Sequence, residues 1–245
     1  MPGGKETQVY FQELCEAFPP LGKLGFHVPP QIDGAFVLRY YGPHEIIHQK
    51  GSKLETIGIL LEGSFRVFNE LENGNLFMIE INDPISFTGE ITLLAGQKIT
   101  SVTLETITEC RIAFLTPERF DFWLHEDIQF LRYVSERIAG KLYLTSYSRG
   151  ERMFYSSKYI LLKYILDACE ESDSGTLIVR KTRQQICEEI GLSVNSINRI
   201  LNEFRREGLV VMKHGKITMG PENHVTAAKA LKVYLSQNRN GINRP

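Results

Sequence analysis

The sequence has little of what marks a disulfide-stapled, metal-binding or membrane protein. Its 245 residues include four cysteines and one tryptophan, and basic and acidic side chains nearly cancel to a net charge of −1. The cysteines are scattered and form no Cys-x-x-Cys pair, which argues against a disulfide framework, a structural zinc site and an iron–sulfur centre. No apolar run reaches the length of about eighteen residues that a membrane span needs, and the first residues lack the apolar core of a signal peptide. The sequence therefore predicts a cytoplasmic protein with no membrane contact.

One stretch, residues 182–208, is typical of a helix-turn-helix. Thr182 is placed to cap a first helix over Arg183–Ile190, with Gln185 three residues on to complete a capping box. Gly191 is expected to end that helix, because glycine is common just past a helix terminus. Ser193 is then in position to cap a second helix.

The second helix is expected to have a buried stripe and an opposite polar face. Its apolar side chains recur at helical spacing, at Ile197, Ile200, Leu201 and Phe204. The opposite face carries Asn195, Asn198, Arg199 and Asn202. Amides that make two directed hydrogen bonds, beside an arginine, are suited to reading base edges in a major groove. An ordinary helical hairpin with an asparagine-rich solvated face is the alternative.

The residues that follow favour the nucleic-acid interpretation. Gly208 is expected to end the second helix, and residues 209–219 have the pattern of strand, glycine-containing turn and strand, which predicts a winged helix-turn-helix. Residues 180–216 hold eight basic against four acidic side chains, a local charge of +4 that leaves −5 for the rest of the chain. Such asymmetry is the electrostatic pattern of a surface that faces phosphates.

The first half of the chain has a different sequence pattern. Residues 9–18 predict a short amphipathic helix, and residues 36–114 have short β-prone runs between turn residues, as in a small all-β barrel or sandwich. The runs are Phe36–Tyr41, 45–49, 56–62, 64–69, 76–81, 99–105 and 109–115. Asn73-Gly74 is a hairpin signal between two of them, and a barrel of about eight strands can enclose one small ligand.

A long helical pattern over residues 127–154 follows a short one over 118–125. Its apolar residues recur every three or four positions along one side, at Leu131, Val134, Ile138 and Leu142, followed by Thr145. A helix of this length extends beyond the adjoining barrel, so this side is expected to pack on its own copy in a homodimer. Packing wholly within its own chain is the alternative.

These changes of pattern divide the chain into three parts. Residues 1–125 predict the N-terminal helix and a β-barrel effector-sensing domain, residues 126–156 a dimerisation helix and hinge, and residues 157–245 a winged helix-turn-helix DNA-binding domain. The last part also contains predicted helices over 158–169 and 224–235, and a loose polar tail from residue 237.

Four short motifs occur in a fixed order along the chain. They are Leu60-Leu-Glu-Gly-Ser-Phe-Arg-Val67, Gly89-Glu90-Ile-Thr-Leu-Leu94, Gly140-Lys-Leu-Tyr-Leu-Thr-Ser146, and Thr182-Arg-Gln-Gln-Ile186 with Ser193 and Arg199-Ile-Leu201. With the order of elements, they resemble the cyclic-AMP receptor / fumarate–nitrate regulator (CRP/FNR) family of bacterial transcription factors. The resemblance implies an α+β fold: an N-terminal cyclic-nucleotide-binding-like antiparallel β-barrel, a long dimerisation helix and a C-terminal winged helix-turn-helix.

The residue patterns and the resemblance together predict the sites and partners. The residues expected to contact DNA are Thr182, Arg183, Ser193, Val194, Asn195, Ser196, Asn198, Arg199, Asn202, Lys213 and Lys216. The residues expected around an effector are Gly89, Glu90, Thr100, Ser101, Thr145 and Ser146. The expected partners are a palindromic double-stranded DNA, a second copy of the chain, a small-molecule effector and RNA polymerase. No catalytic residue and no metal site is expected.

Departures from the family pattern bear on the effector and the operator. Members that bind cyclic nucleotides keep an Arg-Ser pair for the phosphate, and Thr100-Ser101 stands there in this chain, which would leave a buried phosphodiester unpaired. Oxygen-sensing members carry an N-terminal cysteine cluster, where this chain has only Cys15. We therefore expect a largely apolar pocket for a small, uncharged or weakly acidic effector, rather than cyclic AMP or an iron–sulfur cluster. The cyclic-AMP branch has Arg-Glu where this chain has Val194-Asn195, so the half-site is expected to be less G·C-rich.

Three alternative functions are open at this point. His44-Glu-Ile-Ile-His48 spells the zinc-protease motif, but that motif requires a helix, and Gly42-Pro43 before it and Gly51 after it favour strand and turn. A cupin-like metalloenzyme would need a His-x-His pair with a following glutamate, which the sequence lacks. The third alternative is a DNA-binding regulator whose barrel is degenerate and binds no ligand.

Overall fold

The computed structural model of the protein describes residues 6–70, 74, 76–172 and 175–241, with side chains at all of these except 144, 147–153 and 237–241. The chain divides into two compact units, Met1–Leu142 and Tyr143–Pro245. Within the described ranges, no helix is both long enough and apolar enough to cross a bilayer.

The first unit is built on two antiparallel sheets. Its strands are β1 (Glu6–Val9), β2 (Phe36–Tyr41), β3 (Ile46–His48), β4 (Ile57–Glu62), β5 (Phe65–Glu70), β6 (Leu76–Asn82), β7 (Ser86–Thr88), β8 (Thr103–Thr106) and β9 (Cys110–Leu115). They are arranged in the orders β1-β2-β9-β4-β7 and β3-β8-β5-β6. This antiparallel β domain, followed by helices and a C-terminal helix-turn-helix, is the fold class that the sequence predicts.

Each of the seven predicted β-prone runs overlaps a strand, and β1 and β7 were not predicted. Residues 6–9 pair with β2 as a strand, so the predicted helix over residues 9–18 begins later, at Phe11. The predicted start was too early because the side chain of Val9 fits the apolar spacing of the helix. The backbone of Val9 instead pairs with Phe36 of β2. Asn73 of the predicted Asn73-Gly74 hairpin signal lies outside the described residues.

The helices of the first unit enclose an aromatic core. They are α1 (Phe11–Ala17), α2 (Pro19–Gly22), α3 (Glu90–Leu94), α4 (Pro117–Glu126) and α5 (Ile128–Phe154), which runs on into the second unit. The single tryptophan, Trp123 on α4, is completely buried and stacks on Phe130 of α5 with ring centroids 3.7 Å apart. Large aromatic side chains that are buried in this way contribute strongly to the stability of the fold. The start of α5 is therefore anchored in the core of the first unit.

This anchoring corrects the dimer stripe predicted on α5. Val134 is completely buried in the core of its own unit, and Leu131 and Ile138 are partly buried against the same core. Val134 is therefore not available to a partner helix. The spacing of apolar residues identifies a helix face but cannot tell which surface covers it. Leu142, in contrast, is 66% exposed.

The second unit contains the helix-turn-helix. Its elements are α6 (Ser157–Ala168), β10 (Glu170–Glu171), β11 (Leu177–Val179), α7 (Arg183–Ile190), α8 (Val194–Arg206), β12 (Val211–Lys213), β13 (Lys216–Met219) and α9 (Pro221–Gly241). The strands form one antiparallel sheet in the order β10-β11-β13-β12. The predicted break at residues 155–157 is present, since α5 ends at Phe154 and Ser156 caps α6 by accepting from the Tyr159 amide.

Helix α9 is longer than predicted. It continues to Gly241, whereas a loose polar tail was predicted from residue 237. Ala227 on α9 is completely buried in the core of the second unit. The Tyr234 ring stacks on Phe204 of α8 at 6.4 Å, and its hydroxyl donates to Glu207 at 2.8 Å. Helix α9 thus packs against the end of α8.

Candidate DNA-binding surface and ligand cavity

Local sequence signals position the two helices of the helix-turn-helix. The Thr182 side chain accepts from the Gln185 amide and the Gln185 side chain accepts from the Thr182 amide, which is the predicted capping box. Gly191 ends α7 with a left-handed φ of 70°, a conformation that glycine adopts without a Cβ clash. Ser193 then caps α8 by accepting from the Ser196 amide. Each of these three features is as the sequence predicts.

Helix α8 separates apolar and polar residues onto opposite faces. The predicted stripe of Ile197, Ile200, Leu201 and Phe204 is buried. The side chains exposed on the other face are Asn195, Asn198, Arg199 and Asn202. A short helix that is firmly packed on one side presents these polar groups in a fixed arrangement, as groove recognition requires.

The other residues predicted to contact DNA have structural contacts as well. Thr182, Ser193 and Ser196 form the helix caps, and Val194 is partly buried at the start of α8. Arg183 is partly buried and donates to the Gly215 carbonyl at 3.3 Å, while Lys216 donates to the Arg180 carbonyl at 3.0 Å. The predicted residues therefore lie together on α7, α8 and the wing. Arg183, Val194 and Ser196 are partly buried, and the others are exposed.

The wing is a tight hairpin between β12 and β13. His214 and Gly215 at its tip both have positive φ, at 48° and 76°, which is the geometry of a two-residue type I′ turn. Lys213 and Lys216 flank this tip and are exposed. The wing therefore presents positive charge beside α7. The hydrogen bond from Arg183 to the Gly215 carbonyl connects α7 to the wing.

A cavity of about 50 Å³ lies within the first unit, between the second sheet, α3 and α5. Its apolar lining is Phe65, Val67, Phe87, Ile91, Val102 and Leu104. Its polar lining is His48, Glu80, Glu90, Thr92, Thr100 and Lys141, with Gly89 beside them. Gly89 has a φ of 85°, and a Cβ there would lie 2.7 Å from Leu54. Glycine is therefore needed where α3 begins and turns Glu90 inward.

Lys141 of α5 makes ion pairs with both carboxylates of the cavity. Its ammonium lies 2.8 Å from Glu80 Oε1 and 3.2 Å from Glu90 Oε1. Burial raises the pKa of Glu90, although Lys141 acts in the opposite direction. Burial alone would lower the pKa of Lys141, but the two carboxylates outweigh it and the pKa is raised. Lys141 is therefore a cation at neutral pH, paired inside the chain.

His48, at the end of β3, is a neutral group of the cavity. Its Nε2 lies 3.1 Å from the Thr88 hydroxyl, which in turn accepts from the Gly58 amide. Burial, followed by the charge of Arg39, lowers the pKa of His48 to about 4. His44 of the same zinc-protease-like motif lies outside β3, exposed, and contacts Glu105 instead. Among the described side chains, no three His, Cys, Asp or Glu residues come together as metal ligands.

The cavity includes only part of the predicted effector site. Gly89, Glu90 and Thr100 line it, whereas Ser101 does not, and Thr145 and Ser146 belong to the second unit. The effector site is predicted to be largely apolar, and this cavity also contains the charged side chains of Glu80, Glu90 and Lys141. Glu80 and Lys141 are distant in sequence, so no local pattern reveals their pairing. The only available signal is the position of Lys141 within the Gly140–Ser146 motif.

The four cysteines are free thiols in separate parts of the structure: Cys15 on α1, Cys110 on β9, Cys169 after α6 and Cys187 on α7. Burial raises the pKa of Cys15, Cys110 and Cys169, the last to about 11. Because the thiolate is the reactive form, these three thiols are poor nucleophiles at neutral pH.

Two family descriptions match the two units separately. Residues 38–127 match the description "Cyclic nucleotide-binding domain", and residues 161–220 match "Crp-like helix-turn-helix domain". The first match covers β2 to α4, including the cavity except for Lys141. The second covers most of α6, both helices of the helix-turn-helix and the wing.

Similar proteins and structures agree with these matches. The chain is 25% identical over 182 residues to the cAMP-activated global transcriptional regulator Vfr of Pseudomonas aeruginosa, covering 71% of this chain and 85% of that protein. It is equally identical to the cAMP-activated global transcriptional regulator CRP of Salmonella typhimurium, covering 73% and 86%. The solved structure of the c-di-GMP responsive global regulator CLP of Xanthomonas campestris has a TM-score of 0.66 at 19% identity, covering 75% of this chain and 93% of that one. A CooA mutant from Carboxydothermus hydrogenoformans has a TM-score of 0.60 at 13% identity, covering 92% and 98%.

A β-rich domain of the nucleotide-binding type, joined to a Crp-like helix-turn-helix, defines a DNA-binding transcription regulator. The predicted family resemblance is confirmed. The chain belongs to the CRP/FNR family of transcription regulators. Regulators of this family bind DNA and small-molecule effectors, and a homodimer is typical of them.

Proposed function

We propose that this protein is an effector-gated, sequence-specific DNA-binding regulator that works as a homodimer in the cytoplasm, together with RNA polymerase. The observation that carries the proposal is the exposed polar face of α8, opposite a fully buried apolar stripe. Side chains on such a face are free to meet base edges, while the packed stripe keeps the helix rigid.

Base recognition is assigned to three residues of α8. Arg199 is suited to guanine, which offers two acceptors in the major groove, and Asn195 is suited to adenine. Val194 can contact only a thymine methyl group. Lys213 and Lys216 on the wing are assigned to phosphates, which position a protein on DNA without reading sequence.

A homodimer would place two copies of α8 on a twofold-symmetric operator, with half-sites about 34 Å apart. The support is the outer side of α5, where Ile128 is 77% and Leu142 is 66% exposed. With the partly buried Leu131 and Ile138, these residues fall at heptad spacing, which is the pattern of a two-helix seam.

The effector is assigned to the cavity and is proposed to be a small molecule other than cyclic AMP. Ligand pockets commonly measure about 300–1,000 Å³, and this one is about 50 Å³. Thr100, in the place of the family arginine, uses its hydroxyl to donate to the Gln49 carbonyl at 2.6 Å. Among the described lining residues, Lys141 is the one cation at neutral pH, and it already faces two carboxylates. A phosphodiester would therefore meet negative charge without a matching cation.

A selection experiment tests the DNA-binding half of the proposal. The full-length chain is used to select duplexes from a random pool, and affinity is then measured by fluorescence polarisation on the selected duplex and on a scrambled one. Arg199→Ala is expected to cost about 1–3 kcal/mol on the selected duplex and much less on the scrambled one. The same holds for Asn195→Ala. Wild-type affinity and sequence preference in Arg199→Ala would remove the central claim.

Calorimetric titration with cyclic AMP tests the effector half. No heat of binding is expected at micromolar cyclic AMP, because Lys141, the one cation among the described lining residues of the cavity, is already paired with Glu80 and Glu90. Cyclic AMP binding at micromolar affinity would contradict the proposal. The ligand-free alternative is tested separately, by mass spectrometry of protein purified under native conditions and by thermal shift with small metabolites. A bound molecule or a stabilising metabolite would exclude it.

A further inference from the structure

Arg199, on the polar face of α8, is held by a neighbour on its own helix. Its Nη1 donates to Oε1 of Glu203 at 3.0 Å, one turn further along. An exposed pair at this spacing contributes little on its own, because both side chains lose freedom to form it. The effect of the contact therefore depends on what holds Glu203.

Glu203 is held from a second helix. Its other oxygen, Oε2, lies 2.7 Å from the ammonium of Lys158 near the start of α6. The hydrogen bond from Lys158 is the main cause of the lowered pKa of Glu203. Lys158 also lies 3.6 Å from Glu207, which in turn accepts from the Tyr234 hydroxyl of α9. Both oxygens of Glu203 are thus engaged, and its orientation is set from α6.

We propose that Glu203 is a positioning residue that makes Arg199 selective for bases over phosphates. The inference rests on the proposed function, in which Arg199 reads a base. An arginine that is already oriented loses less side-chain freedom when it binds, and the contact to Glu203 leaves its other N–H donors available. The fixed carboxylate also repels phosphate oxygens, so Arg199 gains less from random DNA than from a correctly placed guanine.

Two matched substitutions separate positioning from charge. Glu203→Gln and Glu207→Gln each remove one negative charge from the same end of α8 and from a contact with Lys158, but only Glu203 contacts Arg199. The measurement is the ratio of affinities for the selected and scrambled duplexes. We expect Glu203→Gln to lower this ratio about tenfold, near the low end of what one arginine–guanine contact discriminates. Glu207→Gln should raise both affinities alike and leave the ratio within about twofold.

A double-substitution cycle tests whether Glu203 acts through Arg199. In the Arg199→Ala background, Glu203→Gln should change the ratio no further, because the residue it orients is absent. An undiminished effect in that background would overturn the inference. So would an unchanged ratio in Glu203→Gln alone, or an equal fall in Glu207→Gln.

Lys158→Gln provides a second variant, should Glu203→Gln unfold. It leaves the Arg199 contact in place but releases the other oxygen of Glu203, so an intermediate fall in the ratio is expected. A ratio equal to that of the wild type would count against the inference. Failure of the proposed function is visible earlier in the same experiment: the wild-type chain would select no sequence, or Arg199→Ala would keep the wild-type ratio.

Discussion

The Lys141 ammonium lies 3.2 Å from the buried Glu90 carboxylate, and both residues line the cavity of the first unit. This pair, together with Glu80, joins the helix α5 to the β-rich domain by charge. Taking two charges out of water is costly. Removal of one partner therefore leaves the other charge buried and uncompensated, which destabilises the folded state.

Lys141→Met should therefore destabilise the first unit by about 3 kcal/mol, because it leaves the Glu90 carboxylate buried without its cation. Denaturant unfolding followed by tryptophan fluorescence measures this, since the chain's one tryptophan, Trp123, lies in the core of the first unit. Lys98→Met, at an exposed position, is the matched control and should change stability little. Equal stabilities of the two variants would show that the pair contributes nothing.

Stability should also depend on the protonation of His48. Its folded-state pKa of about 4 lies below the ordinary value of 6.5, so the unfolded chain binds this proton more tightly. The contribution is complete above pH 6.5 and is lost as the pH falls toward 4, by about 2–3 kcal/mol. His48→Gln keeps a polar group beside Thr88 and should show a smaller loss over this window. Parallel stability curves for wild type and variant would contradict the assignment.

The dimer proposal predicts opposite results for two residues of α5. Leu142→Asp should yield a monomer in sedimentation at micromolar concentration with little change in stability, because this side chain is 66% exposed. Val134→Ala should leave the dimer intact but lower stability by about 2 kcal/mol, through the cavity it creates in the core. A dimer that persists in Leu142→Asp would place the interface elsewhere.

The wing lysines should behave unlike Asn195 and Arg199, the residues proposed to read bases. Lys213→Ala should weaken binding to selected and scrambled duplexes alike, and should reduce the slope of log affinity against log salt by about one unit. Lys216→Ala should do the same and also lower stability slightly, because Lys216 donates to the Arg180 carbonyl. Loss on the selected duplex alone would mean that the wing reads sequence.

The helix-turn-helix was predicted closely because its signals are local. Thr182, Gln185 and Gly191 cap and end α7 through contacts within one turn, and the stripe from Ile197 to Phe204 shows one face of α8 directly. Such signals require no knowledge of the rest of the chain. The bounds of α7 and the start of α8 could therefore be predicted to the residue.

The cavity could not be predicted in this way. The pairing of Glu80 with Lys141 joins a strand to a helix 61 positions later, and only the folded chain brings them together. The burial of Val134 is similar, because the same periodic pattern fits a core and a dimer seam. Sequence thus identifies what each segment is, whereas the chemistry between segments depends on the tertiary structure.

The packing of α9 has a consequence for where the DNA-binding module ends. A chain shortened at residue 220 would keep every residue that matches the helix-turn-helix family, but would lose Ala227 and Tyr234. Phe204, near the end of α8, would then lose its stacking partner, and Glu207 would lose the hydroxyl that donates to it. The packed core of the second unit therefore extends beyond the region of family similarity, and α9 supplies contacts to residues at the end of α8.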